Sequence, residues 1–518
     1  MSEIFKRPEI KNVDFCVDEN IWGHRLYDEQ LPHLTVLEFL GALGSNLDNP
    51  LRPHDGLDGA FKFQPQRQIR LRGLLFNNPY IESISESAQS DEEKWRQWFE
   101  RFNQGATGNG DGVNDMDYLR YSFASFDDFA KAVELLRSSS FESRSNKRWS
   151  SKFVFPFGPD ALYEDLEIDS KGKMSNDRRF FARTGELLYM MLTRAKRGAE
   201  LGDILTKRLF DREAPMNRLV RTLQGAPQRA DDSRQSGYLP EATNVRFDQI
   251  CEDWLSILSK DMPIYDALEH LIAISGLNML LYFLERAKRM AGDDDPVEIV
   301  CEIVSKERTK VRALSGDSYQ LNQGLSAKAV RAHVESIRQD VGWAKAASSD
   351  FPEAERVKLM RERFQWPSVD GDDDDYAGES PDALVGKLAE LALARHEQHV
   401  GKIHASWSRA IGLSSRRLSR RTRYAPNDRL LKSIVVAIVD DRMQFDEFLA
   451  EAKRRYGLVL GDAEGARLVD AKLVDQEELS ENRDNLEARL VGLGLVRRLS
   501  DSCSFVENPF TFKRETAC

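Results

Sequence analysis

Apolar residues recur at helical spacing through most of the middle of this 518-residue chain, and this periodicity restricts the fold more than any other feature. Segments such as FFARTGELLYMMLTRA and SAKAVRAHVESIRQDVGWAKAA place apolar residues three or four positions apart, on one face of a helix. The most apolar stretch, residues 271–284, is 14 residues long and has charged residues on both sides. Because a bilayer crossing takes about 20 apolar residues, this stretch predicts a buried core helix. The fold class is mainly α.

The composition is that of a soluble globular chain with an acidic balance. Hydrophobic residues make up 41% of the chain, charged residues make up 31%, and the net charge is −11. Any contact with nucleic acid therefore has to come from local basic patches. Five cysteines lie singly, without the paired spacing of a zinc site or a disulfide framework. Since the N-terminus has no apolar leader, we expect a cytoplasmic protein without a membrane span.

Shifts in composition divide the chain into five regions. Since 518 residues are too many for one hydrophobic core, we predict a multidomain architecture. The regions are a mixed α/β N-terminal domain (1–150), a helical domain (151–365), an acidic linker (366–381), a long helix with an arginine cluster (382–425) and a winged-helix domain (426–518). The linker carries four consecutive aspartates and cannot bury an apolar face. The long helix is expected to run unbroken from residue 382 to 413.

The elements predicted after residue 426 follow the order of a winged helix. Asn427 is the expected N-cap of a first helix, and FDEFLAEAKRRYGLVLG predicts a second helix ended by Gly457. A short third helix is expected near residues 463–474, and Ser480 is the expected N-cap of the last one. The segments LVRRL and CSFVE then predict a tight hairpin. Winged helices either bind DNA or dock protein partners, so both functions stay open.

A run of arginines directly before this domain is the strongest functional signal. The sequence SSRRLSRRTRY contains no acidic residue. We predict phosphate contacts from its arginines and from two in the hairpin, namely Arg416, Arg417, Arg420, Arg421, Arg423, Arg497 and Arg498. The candidate recognition helix SENRDNLEARL is not basic, because three acids offset its two arginines. This weakens base readout and leaves docking of a protein partner as the alternative.

One short pattern points instead to an enzyme. Asp160 follows a proline, Asp169 comes nine residues later, and Lys171 lies two positions further on. Nucleases of the PD-(D/E)xK class use two such carboxylates to hold Mg²⁺ and a lysine to orient or activate water. Those carboxylates should stand on adjacent strands, whereas ALYEDL is compatible with a helix and DSKGK with a turn. A structural loop is therefore favoured, and no cofactor is expected outside this alternative.

Other chemical motifs are incomplete. Three histidines lie on one helical segment, but His404 does not share the face of His396 and His399, and no cysteine or paired carboxylate completes a zinc site. The sequence has no phosphate-binding GxxxxGK[ST] motif and no GxSxG elbow. It therefore shows no complete active site and no evident small-molecule substrate.

Several phrases of the chain resemble uncharacterised proteins encoded in bacterial phage-defence operons, including the methylation-associated defence system. These phrases are ENIWGHRLYDEQ, FPFGPDALYEDL, FDEFLAEAKRRYGLVLG and LGLVRRLSDSCSFVENPF. The resemblance implies an accessory subunit of an antiviral complex that acts on DNA beside a separate ATPase or nuclease, and it supplies no catalytic residues. We therefore expect a non-enzymatic DNA-binding or scaffold subunit. The metal-dependent nuclease and a winged-helix transcriptional regulator are the alternatives.

Overall fold

Helices dominate the described part of the chain. The computed structural model describes residues 15–23, 26–44, 46–52, 62–63, 66–67, 74, 78–105, 116–138, 166–168, 174–176, 184–225, 228–229, 234–235, 238–304, 309–365, 380–417, 420–500 and 503–511. The strands in this part are short. The prediction of a mainly α fold is confirmed.

The helices of the first 300 residues run in the following order. They are α1 (Val17–Trp22), α2 (Pro32–Gly44), α3 (Ile81–Ser85), α4 (Asp91–Gly105), α5 (Asp117–Ser122), α6 (Phe126–Ser138), α7 (Thr184–Thr193), α8 (Gly198–Arg208), α9 (Pro215–Gln224), α10 (Val245–Leu258) and α11 (Ile264–Met290). Asn244 caps α10, because its side chain accepts a hydrogen bond from the backbone N–H of Arg246.

The remaining helices continue to the C-terminal hairpin. They are α12 (Lys310–Glu335), α13 (Val341–Ala346), α14 (Pro352–Phe364), α15 (Pro381–Gln398), α16 (Ile403–Ala410), α17 (Asp428–Ile438), α18 (Phe445–Tyr456), α19 (Ala466–Asp470) and α20 (Gln476–Gly492). Asn427 caps α17 through a hydrogen bond from the backbone N–H of Leu430, as the sequence predicts. Gly457 ends α18 in the left-handed conformation, also as predicted.

The strands form small sheets. They are β1 (Lys62–Phe63), β2 (Gln66–Arg67), β3 (Leu166–Ile168), β4 (Met174–Asn176), β5 (Gln228–Arg229), β6 (Arg234–Gln235), β7 (Ile299–Val300), β8 (Ser414–Ser415), β9 (Arg423–Tyr424), β10 (Arg442–Gln444), β11 (Leu458–Val459), β12 (Val496–Ser500) and β13 (Cys503–Glu507). The pairs β1–β6, β2–β5, β3–β4 and β8–β9 are antiparallel, and β7–β11 is parallel. The predicted C-terminal hairpin is confirmed as β12–β13, and β10 pairs with the other edge of β13.

The long helix α11 is the centre of the core. It packs against α2, α10, α12, α16 and α17. A Cβ on Gly276 would lie 2.7 Å from Cγ of Pro32 and closer still to Ile411, so only glycine lets α2 and the end of α16 approach this helix. By length and composition α11 could cross a membrane, but 94% of its most apolar window is buried inside the protein. The prediction of a buried core helix at residues 271–284 is confirmed.

Two predicted helix boundaries are wrong. The segment 382–413 is not one helix, because the backbone leaves helical geometry at His399 (φ −136°, ψ −65°) and starts again at α16. At this break the His399 ring hydrogen bonds to Asp28. The last helix begins at Gln476 and not after Ser480, because Leu479 packs against Val311 of α12. Contacts with residues distant in sequence thus determine both boundaries.

The C-terminal elements share an apolar core with the helical body. The helix α17 packs on α10 and α11, and β11 pairs with β7. Lys260 forms an ion pair with Asp440 at 2.7 Å, and the buried Asp253 accepts from Arg455 at 3.2 Å. A single cluster of buried apolar residues includes side chains on both sides of residue 426. The predicted domain boundary at this position therefore crosses a continuous core.

Candidate nucleic-acid interface

The arginine run of the sequence lies on a hairpin that is anchored in the core. Ser414 pairs with Tyr424, and Ser415 pairs with Arg423. Tyr424 is fully buried, and its hydroxyl lies 3.0 Å from Nδ2 of Asn322 and 2.6 Å from Nε2 of His404. The described residues between the strands are exposed or partly exposed. We call Arg416, Arg417, Arg420 and Arg421 the arginine loop.

The cations of the arginine loop project into solvent. The side chains of Arg416, Arg417 and Arg420 are exposed and form no ion pair with any residue that the structure describes. Arg421 is 77% exposed and faces Asp317 of α12 at 3.8 Å. Exposed pairs of this length contribute little to stability. The loop therefore presents guanidinium groups that are available to an external anion.

Arg423 differs from its neighbours, and its predicted contact with phosphate is wrong. Its side chain is 1% exposed and forms an ion pair with the buried Glu302. Its Nη1 donates to the backbone carbonyl of Arg417 at 3.0 Å. On this two-residue strand, both Arg423 and Tyr424 are turned into the protein. The positive charge of Arg423 is thus neutralised inside the fold.

The two arginines of the terminal hairpin also differ. Arg497 of β12 is exposed and has no ion-pair partner within the described ranges. Arg498 donates through Nε to Oε1 of Glu487 on α20, at 3.0 Å. This hydrogen bond lowers the pKa of the Glu487 carboxyl below its usual value. Of the two, Arg497 is the better candidate for a phosphate contact.

The outward face of α20, the candidate recognition helix, is acidic in its first half. Its exposed stripe follows helical spacing and consists of Glu477, Glu481, Asp484, Ala488 and Val491. The two arginines of this helix point sideways to carboxylates on other helices, with ion pairs of 2.6 Å each: Arg483 with Asp446 and Arg489 with Asp428. The sequence count showed that the helix is not basic, and its heptad spacing could also have located the acids on one face. This face repels phosphate.

The candidate nuclease residues Asp160, Asp169 and Lys171 lie outside the described residues. The strands β3 and β4, on either side of residues 169–173, pair antiparallel. Among the residues that the structure describes, no group of three or more histidines, cysteines, aspartates and glutamates could hold a metal ion. The nuclease pattern stays a prediction.

The three histidines that the sequence brings together on one segment do not converge. Each has a separate partner: His396 contacts Asp18 and Ser326 at 2.9 Å, His399 contacts Asp28 at 3.1 Å and His404 contacts Tyr424 at 2.6 Å. These contacts tie the N-terminal segment and the arginine hairpin to the helices α12, α15 and α16. The histidines therefore have a structural role.

A cleft of about 660 Å³ lies at the N-terminal end of α10, between α10, α11 and the acidic turn 293–295. Charged side chains line it, but they pair with one another. Lys196 forms an ion pair with Asp248 at 2.8 Å, and Arg246 forms one with Glu285. Arg194 is held by two backbone carbonyls, and burial lowers its pKa to about 10. The cleft shows no convergent set of catalytic groups.

Comparisons of the chain with known protein families, with curated proteins and with solved structures found no match. The arginine loop, Arg497 and the acidic face of α20 are the features of the described surface that bear on a ligand. They favour an anionic ligand at the loop and disfavour one on the outward face of α20.

Proposed function

We propose that this protein binds the phosphate backbone of DNA, without reading its base sequence, as a non-catalytic subunit beside a separate ATPase or nuclease. The observation that carries the proposal is the exposure of Arg416, Arg417 and Arg420 without ion-pair partners within the described residues. Within five residues these three guanidinium groups form a local basic patch in a chain whose net charge is −11. Their planar forks match the oxygens of a phosphodiester and release condensed counterions when they bind it.

The order of the C-terminal elements supports a winged-helix interpretation of this region. The helix α17 is followed by β10, by α18 to α20 and by the hairpin β12–β13, and β10 pairs with β13. In this arrangement α20 takes the position of the recognition helix. A helix that enters the groove must pass between two phosphate backbones, and the carboxylates on the outward face of α20 are repelled by them. Backbone binding is therefore favoured over a sequence-specific transcriptional regulator.

The cellular setting follows from the resemblance to phage-defence proteins. We propose a cytoplasmic antiviral complex in which this subunit holds DNA or docks a DNA-acting partner. The ion pairs and apolar contacts that join the C-terminal elements to the helical body support this role. Force or motion at a DNA-bound C-terminal region would be transmitted to the body through these contacts.

The proposal is tested with the full-length protein and labelled duplexes of unrelated sequence. Binding is measured by fluorescence anisotropy from about 50 to about 300 mM NaCl, a range in which counterion release changes the affinity measurably. The three phosphate contacts of the loop predict a contribution of about −2.7 to the slope of log K against log[salt]. The affinity should be the same for all duplexes. In the triple variant Arg416→Gln, Arg417→Gln, Arg420→Gln the magnitude of the slope should fall by about 2.7, and only contacts outside the loop, such as one from Arg497, should remain.

A matched control removes three exposed arginines, each of which is paired with a glutamate three positions away in the chain. These are Arg96→Gln, Arg197→Gln and Arg454→Gln. This control changes the net charge equally and should keep most of the affinity and the slope. No binding at low salt, or equal losses in both triple variants, would rule out the arginine loop as the DNA-binding surface.

A further inference from the structure

We infer that Arg423 is a positioning residue, which holds the backbone of the arginine loop so that the loop's exposed side chains face a phosphate backbone. The inference rests on the proposed function. It assigns the buried arginine of the cluster a role that is different from the role of its exposed neighbours.

The guanidinium of Arg423 connects the loop to the core. Nη1 of Arg423 donates to the carbonyl oxygen of Arg417 at 3.0 Å, and Nε donates to Glu302. Arg417 is a member of the loop, whereas Glu302 follows strand β7 in the interior. Because one planar group bonds both acceptors, the position of the loop backbone is coupled to that of the buried Glu302.

Glu302 itself is fixed from two directions. Its backbone N–H donates to the carbonyl of Tyr424 at 3.0 Å, so the residue contacts both the backbone and a side chain of β9. Arg312 of α12 lies 4.0 Å from the other carboxylate oxygen. The next residue, Ile303, donates its N–H to the side chain of Asn482 on α20 at 2.8 Å. The support beneath the loop thus includes α12 and the helix that carries the acidic face.

The choice of arginine at this position is informative. Its Nη2 is buried and has no hydrogen-bond acceptor among the described residues. A buried donor without an acceptor lowers stability, and a lysine paired with Glu302 would leave fewer such donors. A guanidinium, however, donates to Glu302 and to the Arg417 carbonyl from two different nitrogens held in one plane, whereas an ammonium has all its donors on one atom. The bond to the loop therefore explains why residue 423 is an arginine. Neutralisation of Glu302 alone does not explain it.

The physical benefit is preorganisation. A flexible loop loses backbone and side-chain freedom when it binds a ligand, and this loss reduces the affinity. When the Arg417 carbonyl is already held, part of the ordering has taken place in the free protein. Arg416 and Arg417 are then displayed at a fixed place beside strand β8.

Two variants separate positioning from direct contact and from simple unfolding. Arg423→Lys keeps a cation opposite Glu302 but lacks the second nitrogen that donates to the Arg417 carbonyl. The double variant Arg423→Met, Glu302→Met replaces the buried pair with apolar side chains, a change that buried ion pairs often tolerate. Both variants keep all the exposed arginines. Arg417→Gln is the direct-contact reference.

The measurements are DNA affinity across a salt series, thermal melting, and hydrogen exchange of the amides at residues 416–422 without DNA. Both Arg423 variants should exchange faster at these amides and should bind roughly tenfold more weakly. Their salt slope should equal that of the wild type, because the number of phosphate contacts is unchanged. Arg417→Gln should instead lower the magnitude of the slope by about 0.9.

The outcomes distinguish this inference from the proposed function. Wild-type affinity and exchange in a folded Arg423→Lys protein, with normal wild-type binding, would overturn the positioning role alone. A slope reduced as in Arg417→Gln would show direct contact and would also overturn it. Absence of DNA binding by the wild type would overturn both proposals.

Discussion

The arginine loop and the outward face of α20 carry charges of opposite sign, although each segment contains arginines. In the loop, Arg416, Arg417 and Arg420 have no acidic partner in the described part of the chain. In α20, Arg483 and Arg489 bend towards carboxylates on other helices. Glu477 and Glu481 on the outward face are then left without an ion-pair partner among the described residues, whereas Asp484 faces Arg483 at 3.2 Å. A charge in the sequence therefore becomes a surface charge only if the fold places no counter-charge beside it.

The same difference separates the arginines of one short run. Arg423 is neutralised by Glu302, whereas Arg420, three positions earlier, is exposed. The arginines of α20 are thus used for contacts with neighbouring helices. The cations that can meet a polyanion lie on the β8–β9 hairpin. Three predictions test this comparison.

Lowering the pH should have the largest effect, because it destabilises the fold on which both surfaces depend. Burial lowers the pKa of His270 to about 4 and those of His333 and His404 to about 3, from an ordinary value of 6.5. At a pH between the lowered pKa of each histidine and 6.5, the unfolded chain binds more protons than the folded one. The free energy of unfolding therefore falls as the pH falls below 6.5. Three such groups predict a loss of up to about 4 kcal/mol per pH unit.

This loss is measured by urea unfolding, followed by circular dichroism, from about pH 7.5 to about pH 5. The lowered pKa values of the three histidines set this range. His404→Leu should reduce the dependence on pH by about one proton. Tyr424→Phe removes the same hydrogen bond but no imidazole, so its pH dependence should match that of the wild type. An equal pH dependence in all three proteins would show that His404 does not remain neutral in the fold.

Neutralising the acidic face of α20 should have an intermediate effect. We expect Glu477→Gln, Glu481→Gln, Asp484→Asn to raise the affinity for DNA roughly fivefold at low salt, because each carboxylate about 10 Å from a phosphate repels it by about 0.4 kcal/mol. The gain should disappear as salt is added. Binding is measured by anisotropy as for the wild type.

The control for this prediction neutralises three exposed acids, one on α3, one directly after α3 and one on α6. The changes are Glu82→Gln, Glu86→Gln and Glu134→Gln. An equal gain in the control would mean that only the net charge matters. No gain in either variant would place the bound backbone far from α20.

The smallest expected effect separates the two arginines of β12. Arg497→Gln should lower the magnitude of the salt slope by up to about 0.9, because Arg497 is exposed and without an ion-pair partner among the described residues. Arg498→Gln should change the slope less, because its charge already faces Glu487. The pair of salt titrations checks this order. The reverse order would identify Arg498 as the contact and would make Glu487 a competitor of the phosphate.

Much of the fold follows from local patterns. Helical spacing predicted the core helix at residues 271–284, Asn427 and Gly457 marked helix ends, and alternation with a tight turn predicted the β12–β13 hairpin. These features depend on residues a few positions apart. The pairing of β10 with β13 was not predicted, because it joins residues about 60 positions apart in the chain.

The candidate site was predictable only in part. Clustering in the sequence located the arginines, and counting charges showed that α20 is a poor reader of bases. Burial of Arg423 could not be foreseen, because its partner Glu302 lies 121 positions earlier and strand β7 brings it there. The pairing of Arg498 with Glu487, 11 positions away, depends on how β12 packs against α20.

The sequence by itself determined the helical class, the position of the central helix and the two charged segments. Those properties follow from composition and from spacing within a few turns of chain. Only the tertiary structure decided which arginines are exposed, where α15 ends and α20 begins, and that the C-terminal elements share a core with the helical body. Burial and ion pairing are set by residues that are distant in the sequence, and only folding brings them together.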